Sequence, residues 1–315
     1  MPALCVYDVL EGRATETTLD TPLPTEGYRW VHFDLNDPEL DGWARAHLPR
    51  GGRKALLQTE TRPRMLALDE GLAIILRGVN LNPGQFPDDM VSVRIWIAPR
   101  LAVTVRARKV YAIDEIRQEA ARGTAPDSPD AFLALLADGL AGRMETETEA
   151  LEDRVDEIEE LLFDDPDEDE EKHRLPELRR ATIRLRRFAL PQAMALEEAA
   201  RSGHAVLGRE AVAALHETGN RARRAVELLD AARDRLNALA DHVDMQQQGR
   251  LAKNSYVFSV IAAVFLPLSF LTGLFGVNVA GMPGTQTPGA FAVLTAATVA
   301  VGIVMALILR WLRLF

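Results

Sequence analysis

Cysteine is almost missing from this chain of 315 residues: Cys5 stands alone, so neither an internal disulfide nor a thiolate cluster can form. That fits a reducing compartment. The six histidines (His32, His47, His173, His204, His216 and His242) show no paired ligand spacing, and a tight zinc site within one subunit is not expected. No phosphate-binding loop, dinucleotide fingerprint or nucleophile motif occurs, so the chain does not read as an enzyme and calls for no cofactor. Basic residues are in deficit, 36 against 46 acidic, for a net charge of −10. This argues against nucleic acid as a partner and suits a surface that attracts cations. The most informative absence is charge itself. From Asn254 to Leu309 there is no Asp, Glu, Lys, Arg or His.

Within that neutral stretch, Tyr256 to Phe275 and Gly289 to Leu309 are two apolar runs. Each is about 20 residues long, which as a helix spans ~30 Å, the thickness of a bilayer's hydrocarbon core. The segment between them, GVNVAGMPGTQTP, is rich in the glycine and proline that make a turn. Two such runs in succession predict a membrane hairpin rather than a buried soluble one. Arg250 and Lys253 precede the first run, Arg310 and Arg313 follow the second, and the connecting loop carries no charge. Basic flanks stay on the cytoplasmic side, so both termini are expected in the cytoplasm and Asn278 on the outer face of an inner (plasma) membrane. Trp311 and Phe315 read as aromatic anchors against membrane lipid.

Ahead of the hairpin, residues 1–128 read as an α/β domain. The stretches 3–10, 28–35, 72–81 and 91–108 are rich in β-branched and aromatic residues, and 37–48 and 112–123 have helical spacing. Strands mixed with helices imply a sheet covered by helices. After the turn-forming GTAPDSPD (123–130), residues 129–250 read as almost wholly helical. Ser128 or Asp130 is placed to cap a helix from Ala131 towards Phe163. An acidic turn follows, with seven of the eight residues 164–171 acidic, and then a basic return arm, 174–187. Next, Leu215, Ala222, Leu229, Leu236 and Val243 recur every seven residues, with Ala225, Ala232 and Leu239 three positions on. This heptad seam predicts one helix from about Ala211 into the first membrane run at Phe275, with Gly249 its weak point. A seam packed within one protomer and a bundle of several subunits both fit, and the second is favoured. Residues 251–315 then form the transmembrane hairpin.

At helical spacing, Ser255, Ser259, Ala262, Leu266, Ser269, Gly273 and Gly276 fall on one face of the first run, while bulky residues occupy the others. Such a small, partly polar stripe serves either helix–helix contact or the wall of an aqueous pore. A single hairpin cannot enclose a pore, so the pore reading requires a homo-oligomer. Asn278, just past the end of that run, is either a helix C-cap or one member of a carboxamide ring. A ring of that kind, with carbonyls of Gly276 and Val277, could hydrogen-bond the water around a divalent cation. No aspartate or glutamate is there to strip the water, so the metal contact expected at Asn278 is with a hydrated ion at the outer mouth.

A C-terminal two-span hairpin whose first helix ends in Gly276-Val277-Asn278 resembles the CorA superfamily of divalent-cation transporters. GLFGVNVAGMPG, with Gly281 and Pro283, is similar to the ZntB zinc-transporter branch, as are 60–84 and 88–97. The magnesium branch usually has Gly-Met-Asn and an acidic loop instead. The resemblance implies an α+β/α membrane protein: a cytoplasmic α/β domain, a long helical stalk and the hairpin, assembled as a homopentameric funnel. It implies that the long helix lines the axis and that Asn278 joins an outer selectivity ring. The function expected is transport of Zn2+ or another divalent cation across the inner membrane, as uptake, by passive conduction or coupled to protons. Two alternatives stay open: a magnesium or broad divalent channel, and a membrane-anchored sensor or scaffold.

Overall fold

The structure is a computed structural model that describes residues 3–164, 169–277, 284 and 287–311, with the side chains of 164–173 left aside. The chain divides into two compact units, Met1–Ala240 and Asp241–Phe315.

The first unit is built on one sheet of seven strands: β1 (Cys5–Leu10), β2 (Arg13–Glu16), β3 (Tyr28–Asp34), β4 (Arg64–Leu68), β5 (Gly71–Gly78), β6 (Val91–Ala98) and β7 (Leu101–Arg106). They lie in the order β2-β1-β3-β7-β6-β5-β4. Neighbours pair antiparallel except β3 and β7, which run parallel. The apolar stretch 91–108, legible as extended, is two strands joined by a turn at Pro99 and Arg100. β6 is buried along nearly its whole length because helices cover both faces of the sheet.

On one face lie α1 (Leu40–His47) and α2 (Arg50–Leu57), enclosing Val31, Phe33, Leu40, Leu56, Trp96, Val103 and Val105. On the other face, α3 (Tyr111–Ala121) lies beside β2 and leads into α4 (Pro129–Asp164), which packs against β5, β6 and β7 and whose Phe132 ring lies 5.0 Å from that of Trp30. On that face Trp30 Nε1 donates to Thr104 Oγ1 at 2.9 Å, and His32 Nδ1 lies 2.8 Å from the same oxygen. Between β3 and β1, the buried Arg29 forks onto Asp8 at 2.7 and 2.8 Å. Gly27 has φ +70, and a Cβ there would meet the Val9 carbonyl oxygen at 2.0 Å, so the turn into β3 admits only glycine.

Helix α4 starts at Pro129, two residues ahead of the expected Ala131, and Ser128 rather than Asp130 is its cap. Ser128 Oγ accepts from the Ala131 N–H at 3.3 Å, and Pro129 occupies the first helical position, where its missing N–H costs nothing. α5 (Asp169–Arg201) returns with Pro176 and Pro191 inside it, and α6 (Arg209–Gly276) follows. The turn between α4 and α5, with the acidic run expected there, lies outside the described residues.

One expectation is corrected. The heptad seam favoured as a contact between subunits is consumed inside the protomer: Leu215, Ala222, Leu229 and Leu236 are at most 1% exposed in the single chain. Ion pairs tie α6 to its neighbours around that seam. Arg221 meets Asp138 (2.5 Å) and Glu145 (2.7 Å) of α4, Arg235 meets Asp156 (2.5 Å) of α4, and Arg186 of α5 meets Asp230. Apolar positions three and four apart, with arginine flanking them, need no second copy when α4 and α5 supply the facing surface.

Three elements were not legible. β4 is an edge strand exposed on alternate and adjacent positions, so no period marks it. β2 is only four residues long. α2 begins Arg-Gly-Gly, a poor helix former, and is held by the burial of Ala55 and Leu56 under the sheet.

Candidate functional site

The second unit contains the end of α6 and all of α7 (Ala290–Trp311). Both segments are long and apolar enough to cross a membrane, and hardly any of either is buried within the chain. Exposed apolar side chains at this density, among them Phe258 (72%), Phe265 (62%) and Phe291 (82%), require a non-aqueous surrounding or further copies of the chain.

Burial divides the first span into distinct sides. Val260, Ala263, Val264, Pro267, Leu268 and Leu271 are half-covered and recur at helical spacing. In α7 the half-covered set is Ala290, Leu294, Thr298, Val301, Gly302 and Met305, ending on the buried Leu309. The small stripe lies on another side of α6: Ser255, Ser259, Ala262, Leu266, Ser269 and Gly273 are all exposed. Within the chain, then, the stripe is not used for packing.

Four hydroxyls of the spans bond within their own helix. Ser259 Oγ donates to the Ser255 carbonyl at 2.9 Å, and Thr272 Oγ1 to that of Leu268 at 3.0 Å. In α7, Thr295 and Thr298 donate one turn back, at 2.9 and 2.8 Å. A hydroxyl bonded this way keeps its oxygen lone pairs free to accept from water. Gly249 is not the sole weak point of α6. Pro267 stands inside the helix and frees the Ala263 carbonyl from its intrahelical bond, a second place where backbone oxygen becomes available.

Gly276 is the last residue of α6, and Val277 follows it, half exposed. Asn278, Gly281 and Pro283 lie outside the described residues, as do Arg313 and Phe315. Arg310 and Trp311 end α7, the indole 82% exposed.

Away from the spans, the described histidines have ordinary partners. His204 Nε2 lies 2.7 Å from the Leu68 carbonyl oxygen, and His47 stacks on Trp43 at 4.9 Å. Among the described residues no group of three or more His, Cys, Asp or Glu is placed to hold a metal ion.

The family model for the CorA-like Mg2+ transporter protein matches residues 25–311. The chain is 35% identical to the divalent cation transporter CmaX of Pseudomonas aeruginosa over 89% of its own length and 85% of the relative's. It is 31% identical to the zinc transport protein ZntB of Yersinia enterocolitica over 90% of its length and 86% of that protein. The solved full-length CmaX structure superposes with a TM-score of 0.86 at 31% identity, covering 99% of this chain and 98% of that one.

Proposed function

The chain belongs to the CorA-like family of divalent-cation transporters, and from that premise we propose that it carries zinc across the inner membrane through a pore formed by five copies of itself. Members of this family are transporters, not enzymes. The observation that carries the pore reading is the division of α6 by burial: the small stripe is exposed, while a different side is half-covered within the chain. A stripe of serines, alanine and glycine facing a shared axis leaves room for water and supplies hydroxyl oxygens to it. The pore-lining residues are Ser255, Ser259, Ala262, Leu266, Ser269 and Gly273. Gly276, Val277 and Asn278 form the selectivity motif, with the Asn278 carboxamides ringing a hydrated ion at the outer mouth.

Zinc rather than magnesium is supported by the similarity to ZntB and by the uncharged loop after Asn278. A neutral carboxamide ring lacks the charge to strip the tightly held water of a divalent cation, so the ion passes with water attached. The direction proposed is uptake, with both termini in the cytoplasm and residues 1–128, 129–250 and 251–315 serving as receiving domain, helical stalk and membrane hairpin. Neither span holds a carboxylate or histidine, so any proton coupling runs through residues outside them or through water. The rival ion is magnesium, or divalent cations at large.

Cysteine scanning tests the pore wall on a clean background. Cys5 is buried, and burial pushes its thiol up to about 12, so it does not react with water-soluble thiol reagents in the folded protein. Ser259→Cys and Ser269→Cys are expected to become reagent-blocked for zinc flux, while Val257→Cys, exposed on the opposite side of the helix, stays open. Block at Val257→Cys, or at none of the three, contradicts the assigned face. Cross-linking of Ser259→Cys into pairs alone would favour a membrane-anchored sensor over a pore.

A further inference from the structure

The first unit is part of a chain with an acidic excess, yet one region of it is dense in arginine. β4, β5 and β6 bring three arginines to one side of the sheet, and a fourth precedes β4. Arg64 and Arg94 both pair with Ile75 in the ladder, and Arg77, two residues on along β5, pairs with Ser92. Arg62 lies two residues ahead of Arg64. α5 adds Arg186 and Arg187. Between them is a cavity of about 410 Å³ lined by Arg62, Arg77, Arg186, Arg187, Phe188 and Thr61, with Glu60, Leu190 and Pro191 completing the wall.

The acidic partners are too few for these charges. Arg186 is taken by Asp230, and Arg64 lies 3.9 Å from Glu60. Among the described residues, Arg62, Arg77, Arg94 and Arg187 have no carboxylate within ion-pair distance. Arg77 instead spends its donors on neutral oxygens: the Thr61 carbonyl (3.1 Å), the Thr61 hydroxyl and the Met90 carbonyl (2.5 Å). Its guanidinium stacks on Phe188, 4.1 Å from the ring centre, and Arg187 lies 5.4 Å from the same centre. Arg94 is 2% exposed, gives Nε and one Nη to the Gln58 carbonyl, and leaves Nη1 without a partner. Gln192, whose Oε1 accepts the Arg77 N–H at 2.6 Å, buries its Nε2 unpartnered as well. Burial, and then the charge of Arg94, pushes Arg77 down to about 10, with Asp89 opposing and Arg187 adding to the fall. The cavity therefore gathers Arg62, Arg77 and Arg187 without a carboxylate of their own, Arg77 partly dehydrated, while the unpartnered donors of Arg94 and Gln192 lie behind its lining. That arrangement costs stability unless an anion completes it.

The geometry points to a binding site for a soluble phosphate compound in this cavity, held by the Arg62 and Arg187 guanidiniums, with Arg77 fixed on Phe188 as the floor. Planar guanidiniums take phosphate oxygens in pairs, which a halide cannot match, and the cavity has room for a diphosphate. The site is separate from the membrane spans and does not rest on the ion the protein carries.

The test uses the full chain in detergent at fixed ionic strength, titrated in parallel with inorganic pyrophosphate, chloride and phosphatidylglycerol, and read by calorimetry and by melting temperature. Pyrophosphate is expected to bind and to raise the melting temperature. Arg62→Gln and Arg187→Gln are each expected to weaken it at least about tenfold. Both side chains are exposed, so both variants should fold, and melting without ligand checks that they do. Arg122→Gln, an exposed arginine paired with Glu119 elsewhere, is expected to bind as the parent does. Equal response to chloride, response to the lipid alone, no binding, or binding unchanged by both substitutions would each overturn the proposal.

Discussion

At the scale of single residues, His32 shows how the fold sets chemistry that composition cannot. Burial, followed by the nearby positive charge of Arg106, pushes its imidazole down to about 3, from an ordinary value near 6.5. As pH falls through that ordinary value, the unfolded chain takes up a proton that the folded chain refuses until about pH 3. Stability is therefore lost across this window on acidification, at up to ~1.4 kcal/mol per pH unit from this group. Thermal unfolding at pH 7 and pH 5 should show His32→Gln less stable than the parent at pH 7 but with a shallower fall. Equal slopes would mean that His32 is protonated in the native state. Asn278 is the residue on which selectivity is proposed to turn. Asn278→Ala is expected to lower the ratio of zinc to magnesium flux, measured in the same vesicles. An unchanged rate and ratio would remove the carboxamide ring from the mechanism.

Among the elements, α4 and α6 carry the helical part of the first unit, and their contributions differ in kind. Leu229 is fully buried in the seam, and Leu229→Ala should cost ~2–5 kcal/mol by leaving a cavity. Ser128→Ala removes one capping acceptor and should cost ~1 kcal/mol. Chemical denaturation of the two variants ranks them, and a reversed order would place the seam at the protein surface. The position of α6 was legible because its heptads persist from Leu215 to Leu239 and its last turns are apolar without interruption. The partner of its seam was not legible, because a periodic face states that it is buried and not by what. The Ser128 cap and the strands β1, β3 and β5 were read from local chemistry, where turn residues bound apolar runs. β4 escaped notice because an exposed edge strand has no apolar period, and α2 because its glycines argue against helix until Trp96 and the sheet cover it. The small stripe of α6 was visible at helical spacing. That it is exposed while Val260, Val264 and Leu268 are half-covered required coordinates.

At the scale of the whole molecule, the chain combines a first unit whose helical seam is buried within it with two spans that it leaves uncovered. The seam is not free to bring copies together, so the proposed assembly rests on other surfaces, the spans among them. The likeness to full-length CmaX covers 99% of the chain and so takes in both units. The central claim is zinc permeation along the serine-bearing side of α6, and zinc uptake into liposomes holding the purified full chain tests it most directly. Parent protein and Ser259→Phe are compared, with magnesium measured beside zinc and each run with and without an imposed proton gradient. The account predicts zinc uptake by the parent and its loss in Ser259→Phe, while the same aromatic at Ile261, on a different side of the helix, leaves uptake intact. A parent that moves magnesium but no zinc, or a Ser259→Phe that moves zinc at the parent rate, would contradict it.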